Sequence, residues 1–266
     1  MKVGTTPIEK RKAKKEPLAI IDDLPRFAEE GLEKIPEEDR DVLKWIGVFL
    51  RKRTPGFFMM RIRIPNGQTT SAQLRALAEI ESRLGNGILD VTTRQQIELR
   101  SIRINDVPEI LERLRGVDLS SLQTGMDNIR NINSCPLAGL TPHELFDATP
   151  VGLEFQKIFL GNTEYTNLPR KANVTITGCL ENCTHVESQD IGMAPAIRRT
   201  SDGEIKGFNV FVGGKMGSGG FRVASDLNVF VAPDNAPALC GEILKLFRDE
   251  GERTSRPRAR LAFLVY

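Results

Sequence analysis

The sequence predicts an α+β chain in two unequal parts, and three observations carry that prediction. Between Phe57 and Gln123 the patterns run strand, helix, strand, strand, helix, strand, which is the order of a ferredoxin-like unit. After Gly125 connections rich in Asn, Gly and Pro alternate with short apolar strands and a helix, as in an α/β domain. The first 45 or so residues are charged and interrupted by Pro17, Pro25 and Pro36, so they read as an arm laid over the rest. The predicted parts are therefore an arm over 1–45, a ferredoxin-like half-domain over 46–124 and an α/β domain over 125–266.

Each element has its own signal. Phe58 to Ile64 alternates as a strand, Pro65-Asn66-Gly67 turns the chain, and Thr70 or Ser71 can cap a helix whose apolar stripe is Leu74, Leu77, Ala78 and Leu84. A short strand spans Ile88 to Val91. Ile97, Leu99 and, after a shift, Ile102 and Ile104 mark the next one, and Asp106, Pro108 and Glu109 open a helix carrying Ile110, Leu111 and Leu114. A closing strand is expected near Leu119 to Gln123. In the second part, strands are expected at Asn173 to Thr177, Phe208 to Val212 and Asn228 to Val231, with a helix from about Pro237 to Glu250. Arg256 to Arg260 then leads into the apolar run Leu261 to Tyr266, which reads as an element that is cut or that pairs with something outside the chain.

The 266 residues are 40% apolar and 27% charged, ample for a sizeable core. A net charge of +2 excludes a general polyanion binder, so no nucleic-acid partner is expected and any cationic function must come from local clustering. The lysine-rich N-terminus has no apolar targeting core and no stretch reaches 18 apolar residues, which predicts a soluble, cytoplasmic protein with no membrane partner. Four cysteines are too few for a disulfide framework, and two histidines leave little for a histidine-built site; His143, at a helix-start signal, reads as a surface residue.

Chemistry concentrates in Asn167-Leu-Pro-Arg-Lys-Ala-Asn173 and the Gly178-Cys179-Leu-Glu-Asn-Cys183 that follows. Two-residue spacing puts Lys171 and Asn173 on one strand face, where an ammonium and an amide together can hold a small oxyanion and offer it a proton. Arg61 and Arg63 share a face of the first strand, normally a solvated edge; Arg94 lies at a strand junction and Arg130 in Met126-Asp-Asn-Ile-Arg-Asn131. Gly213-Gly-Lys-Met-Gly-Ser-Gly-Gly220 matches neither a phosphate-binding Walker loop nor the dinucleotide fingerprint, and a plain hairpin and an anion site are equally compatible with it. Cys179 and Cys183 have the spacing of iron-sulfur ligands, and Cys135 can join them, but three thiols leave a four-iron cluster one short. Zinc held by these thiols and His185 fits no common zinc module, and Cys240, in a stripe with Ile243, Leu244 and Phe247, reads as a core thiol.

Taken in order, Phe58-Met-Met-Arg-Ile-Arg-Ile-Pro-Asn-Gly67, Val91-Thr-Thr-Arg-Gln95, Thr124-Gly-Met-Asp-Asn-Ile-Arg-Asn131, Pro136-Leu-Ala-Gly139, Asn167 to Asn173 and Gly207-Phe-Asn-Val-Phe-Val-Gly-Gly214 closely resemble the amino-terminal half of ferredoxin-dependent assimilatory nitrite reductases. These belong to the siroheme nitrite and sulfite reductases. The likeness runs from about residue 40 to the end. It implies an α/β domain of the siroheme type after the half-domain, and a part in the six-electron reduction of nitrite to ammonium with electrons from reduced ferredoxin. Residue by residue, it implies that Arg61, Arg130, Lys171 and Asn173 bind the anion. Arg94, Gln95, Arg130 and the Gly213-Gly214 turn are expected to contact the siroheme. The four cysteines of the family's 4Fe-4S cluster come from a second half that this chain does not hold, so that half is an expected partner and no metal ligand is assigned here. Asparagine at 173, where sulfite-reducing relatives tend to carry a second lysine, favours nitrite. The readings kept beside this one are a sulfite reductase half and a stand-alone, non-catalytic siroheme-binding or iron-sulfur module.

Overall fold

The computed structural model describes residues 4–201, 203–217 and 220–266. Three short helices, α1 (Pro7–Lys14), α2 (Leu24–Glu30) and α3 (Glu37–Val42), make up the arm. They lead into β1 (Val48–Leu50), β2 (Phe58–Ile62), α4 (Ser71–Leu84), β3 (Leu89–Val91), β4 (Ile97–Ile102) and α5 (Val107–Arg115). The second part comprises β5 (Ile129–Asn133), α6 (Thr149–Phe159), β6 (Ala172–Ile176), β7 (Ile191–Thr200), β8 (Gly203–Val212), β9 (Ser225–Val231), α7 (Ala236–Glu250) and α8 (Ala262–Val265).

The first sheet has the order β1-β2-β4-β3, all antiparallel, with α4 and α5 against it, and the chain is α+β with a ferredoxin-like half-domain as expected. Thr70 caps α4 in a full capping box: its hydroxyl accepts from Gln73 N while the Gln73 side chain accepts from Thr70 N. The shift read between Leu99 and Ile102 is a bulge, in which Phe58 pairs with Ile102 but Met60 pairs with Leu99, and Ser101 takes φ 57°. One expected strand is replaced. Leu119 to Gln123 contributes only the bridge Arg63–Ser120, and most of that edge of β2 is occupied by β1, which the sequence did not announce. Three residues carry too little alternation to be read as a strand.

The arm is also more deeply built in than a surface wrap. Ile20, Leu24, Phe27 and Ile35 are among the buried residues of the half-domain's core. Trp45 is fully buried and its indole N–H donates to Thr166 O at 2.9 Å. On α1, Lys12 pairs with Glu9 and Asp127, Glu9 pairs with Arg253 at 2.6 Å, and Arg256 holds Asp127 through both of its oxygens. The arm thereby clips the start of the second part to its end.

The second sheet runs β5-β6-β7-β8-β9, parallel from β5 to β7 and antiparallel beyond. Strands β5 and β7 and helix α6 lie in a region where the sequence promised mainly loops. Their apolar residues are interrupted by Asn, Gly and Pro, which hides the period. Ala172, Val174 and Ile176 of β6 face the core with Phe155, Phe159, Cys240, Leu244 and Phe247 from α6 and α7. Burial pushes the Cys240 thiol up to about 12, as a core residue requires. The apolar run at 261–266 folds back on this domain: Leu261 is in its core, Leu264 and Val265 pack against it, and Tyr266 Oη donates to Val223 O at 2.8 Å. No helix among the described residues is long and apolar enough to cross a membrane.

Candidate functional site

The face of β6 turned away from the core carries Lys171, Asn173, Thr175 and Thr177 in alternation. Asn173 is 9% exposed and its Oδ1 has no partner, while its backbone N–H donates to Asp190 Oδ2 at 2.7 Å. Beside it on β5, Asn131 donates to Ile64 O at 2.7 Å and Arg94 O at 3.0 Å, and its Oδ1 is likewise unpartnered.

Cations gather at the start of these strands. Burial, followed by the charges of Arg130, Arg260, Arg94 and Arg170, lowers Lys171 to about 8. Arg130 is lowered by burial first and then by Arg61, with Arg63 and Arg94 adding to it; an arginine nevertheless stays protonated at neutral pH. Its guanidinium donates to the carbonyls of Thr124 and Met126, leaving it no carboxylate partner in those bonds. Arg94 reaches across from the half-domain at the tip of the β3–β4 hairpin, where Gln95 takes φ 56° and Thr92 Oγ1 accepts from Arg94 N and Gln96 N. Its Nη2 donates to Gln189 Oε1 at 2.8 Å.

The predicted residues are not used alike. Arg61 is held by Glu98 at 2.6 Å and lies over the Phe49 ring at 4.8 Å, on the rim of the cluster. Gln95 commits both ends of its amide to Ser134, donating to its O and accepting from its N, so it ties the two parts together. Gly213 (φ 82°) and Gly214 are buried; a Cβ on Gly214 would lie 2.3 Å from Glu187 O and 2.5 Å from Gln189 O, so only glycine lets this turn press against the loop before β7. Arg63, read as lying on a solvated edge, is instead 1% exposed, donates to four backbone carbonyls from 122 to 130 and stacks over Phe159 at 5.0 Å.

Four residues, Asp190, Arg260, Lys215 and Arg222, were not singled out by the sequence. Asp190, fully buried, receives both Arg260 donors at 3.0 and 2.6 Å. Lys215 is 1% exposed, its Nζ has no hydrogen-bond partner among the described residues, and it lies 4.9 Å from the centre of the Phe263 ring. Arg222, joined to Lys215 by an isolated backbone bridge, stacks on Phe263 and Tyr266. The single lysine within the glycine-rich segment 213–220 was the available signal for Lys215. Nothing local marked Asp190 or Arg260, which become partners through the return of the C-terminal segment.

The charge and the donors gathered here are chemically suited to an anion. Arg94, Arg130, Arg260 and Lys171 lie within electrostatic reach of one another, with Lys215 beside Arg260 and with Asp127 and Asp190 as buried counter-charges; among the described residues the Lys215 ammonium has no hydrogen-bond partner and can donate to a ligand, whereas the free Oδ1 atoms of Asn131 and Asn173 are acceptors. A polycarboxylate and a small oxyanion both match that donor set.

Comparison with known proteins gives consistent matches. Residues 125–266 match the family described as "Nitrite and sulphite reductase 4Fe-4S domain", and residues 50–117 match "Nitrite/Sulfite reductase ferredoxin-like half domain". The ferredoxin–nitrite reductase of Leptolyngbya laminosa is 43% identical over 97% of this chain and 51% of its own length. The assimilatory ferredoxin-dependent nitrite reductase of Haloferax mediterranei is 42% identical over 93% of this chain and 45% of its own, and the chloroplastic enzyme of Zea mays is 41% identical over 99% and 48%. The chain thus spans about half the length of the curated relatives it matches. Among solved structures, Mycobacterium tuberculosis NirA superposes with a TM-score of 0.89 at 26% identity, over 97% of this chain and 49% of that one.

Proposed function

The chain belongs to the nitrite and sulphite reductase family, and from that premise we propose that it is the anion- and siroheme-binding half of a ferredoxin-dependent nitrite reductase. The observation that carries the reading is the cationic cluster around Lys171, drawn from both parts of the chain and continued through Arg260 to Lys215, whose ammonium has no hydrogen-bond partner among the described residues. Siroheme is an iron macrocycle edged with carboxylates, and the charge and donor chemistry found here fit it. Arg94, Arg130, Lys215 and Arg260 would hold its carboxylates, with the Gly213-Gly214 turn allowing close approach. When bound, the siroheme with its associated 4Fe-4S cluster would pass on electrons delivered by reduced ferredoxin, six for each nitrite reduced to ammonium.

The chain's own residues then have distinct tasks. Lys171 and Asn173 bind the anion from one strand face, Arg130 and Arg61 add positive charge where negative charge develops, and Lys171, already lowered to about 8, gives up a proton readily near neutral pH. Reduced ferredoxin as donor, and a second half carrying the cluster cysteines, complete the reading. Gln95 keeps the Arg94 hairpin docked on Ser134 rather than offering its amide to a ligand.

The test is the chain co-expressed with the second half that its relatives carry, assayed with reduced ferredoxin against nitrite and sulfite. Nitrite turnover exceeding sulfite turnover is expected, and Lys171→Gln should lower kcat/KM for nitrite at least tenfold. Sulfite reduction without nitrite activity would replace this reading by a sulfite reductase half.

A further inference from the structure

The two parallel strands β5 and β6 end side by side, and the loops that leave them bring three thiols together. Cys135 follows β5 by two residues, and Cys179 and Cys183 follow β6. The Sγ atoms of all three lie within 4.8 Å of one another. Cys135 and Cys179 are buried, at 3% and 1% exposure, whereas Cys183 is exposed. The loop around them is pinned: Cys179 N donates to Thr177 Oγ1, and the segment at 143–145 pairs with 178–180 through Leu145 N to Gly178 O and Leu180 N to His143 O.

We propose that Cys135, Cys179 and Cys183 form a binding site for one zinc ion, separate from the anion cluster and from any 4Fe-4S cluster. The geometry favours a single ion over a cubane. Thiolates sharing one tetrahedral ion at Zn–S of about 2.3 Å lie about 3.8 Å apart, so closure moves these sulfurs by only about 1 Å. A cubane places each thiolate on a different corner iron, holds its ligand sulfurs farther apart and takes four of them. The soft three-thiolate set selects zinc over hard cations, with the fourth position open to water on the side of exposed Cys183. Lys171 precedes β6 and Cys179 follows it, so the thiols lie at the other end of that strand from Lys171. Binding releases the thiol protons.

The experiment measures metal in the purified 266-residue chain after desalting, with Zn²⁺ alone as the added ion and Co²⁺ as the spectroscopic substitute. About one zinc per chain is expected, with a thiolate-to-cobalt charge-transfer band in the Co²⁺ form. Cys183→Ser, at an exposed position, should weaken zinc binding at least tenfold and remove the band, while Cys240→Ala keeps both. Equal zinc in the parent chain and Cys183→Ser overturns the proposal. So does iron with matching acid-labile sulfide that Cys183→Ser removes, or two missing free thiols and no metal, which would indicate a disulfide.

Discussion

Lys171 shows how one residue can be placed against its own stability. Its charged form is disfavoured in the fold first by burial and then by Arg130, Arg260 and Arg94, which lowers it from 10.5 to about 8. A lowered lysine means that the unfolded chain binds more protons between those values, so its contribution to stability improves as pH rises from about 8 to 10.5. Lys171→Met should therefore stabilise the free chain at neutral pH, and urea unfolding should show that advantage shrinking across this window. An advantage that is constant with pH would remove the electrostatic account. The same residue was visible in the sequence because Lys-X-Asn at strand spacing has a chemical meaning by itself. Lys215 and Asp190 were not, since their roles depend on Phe263 and Arg260, some 50 and 70 positions away.

At the scale of elements, the half-domain was legible where local signals were complete. Helix α4 has its cap, its Gln73 and its apolar stripe within one stretch, and the structure contains all three. Thr70→Ala removes the hydroxyl that accepts from Gln73 N, which should cost about 1 kcal/mol in chemical denaturation without changing the fold. A loss below a few tenths of that value would show the box to be idle. Strands β1 and β5 were illegible for the opposite reason. β1 is three residues long and β5 carries the polar Arg130, Asn131 and Asn133, so neither shows alternation; pairing with β2 and β6 makes them strands. The expected strand at 119–123 yields most of its edge to β1 because β2 can pair only once along that side.

At the scale of the molecule, the arm is a clasp between the two ends of the second part. Glu9 and Lys12 on α1 meet Asp127 and Arg253 with side chains almost entirely buried. Removing residues 1–16 would leave Asp127 and Arg253 without these partners and open the cover over Trp45. Loss of a buried ionic partner typically costs about 3–5 kcal/mol. The truncated chain should unfold at lower urea, and emission from its single tryptophan should shift to the red; unchanged emission and stability would show the arm to be dispensable. The sequence by itself determined the α+β class, the half-domain's main helices and the residue types of the proposed anion site, because caps, periods and motif spacing are local. Only the tertiary structure decided that Arg63 is buried, that Gln95 is a clip, that Arg260 returns to Asp190 and that three thiols meet beyond β5 and β6. Those outcomes follow from contacts between distant segments, whose energies come from burial and charge pairing that no local window contains.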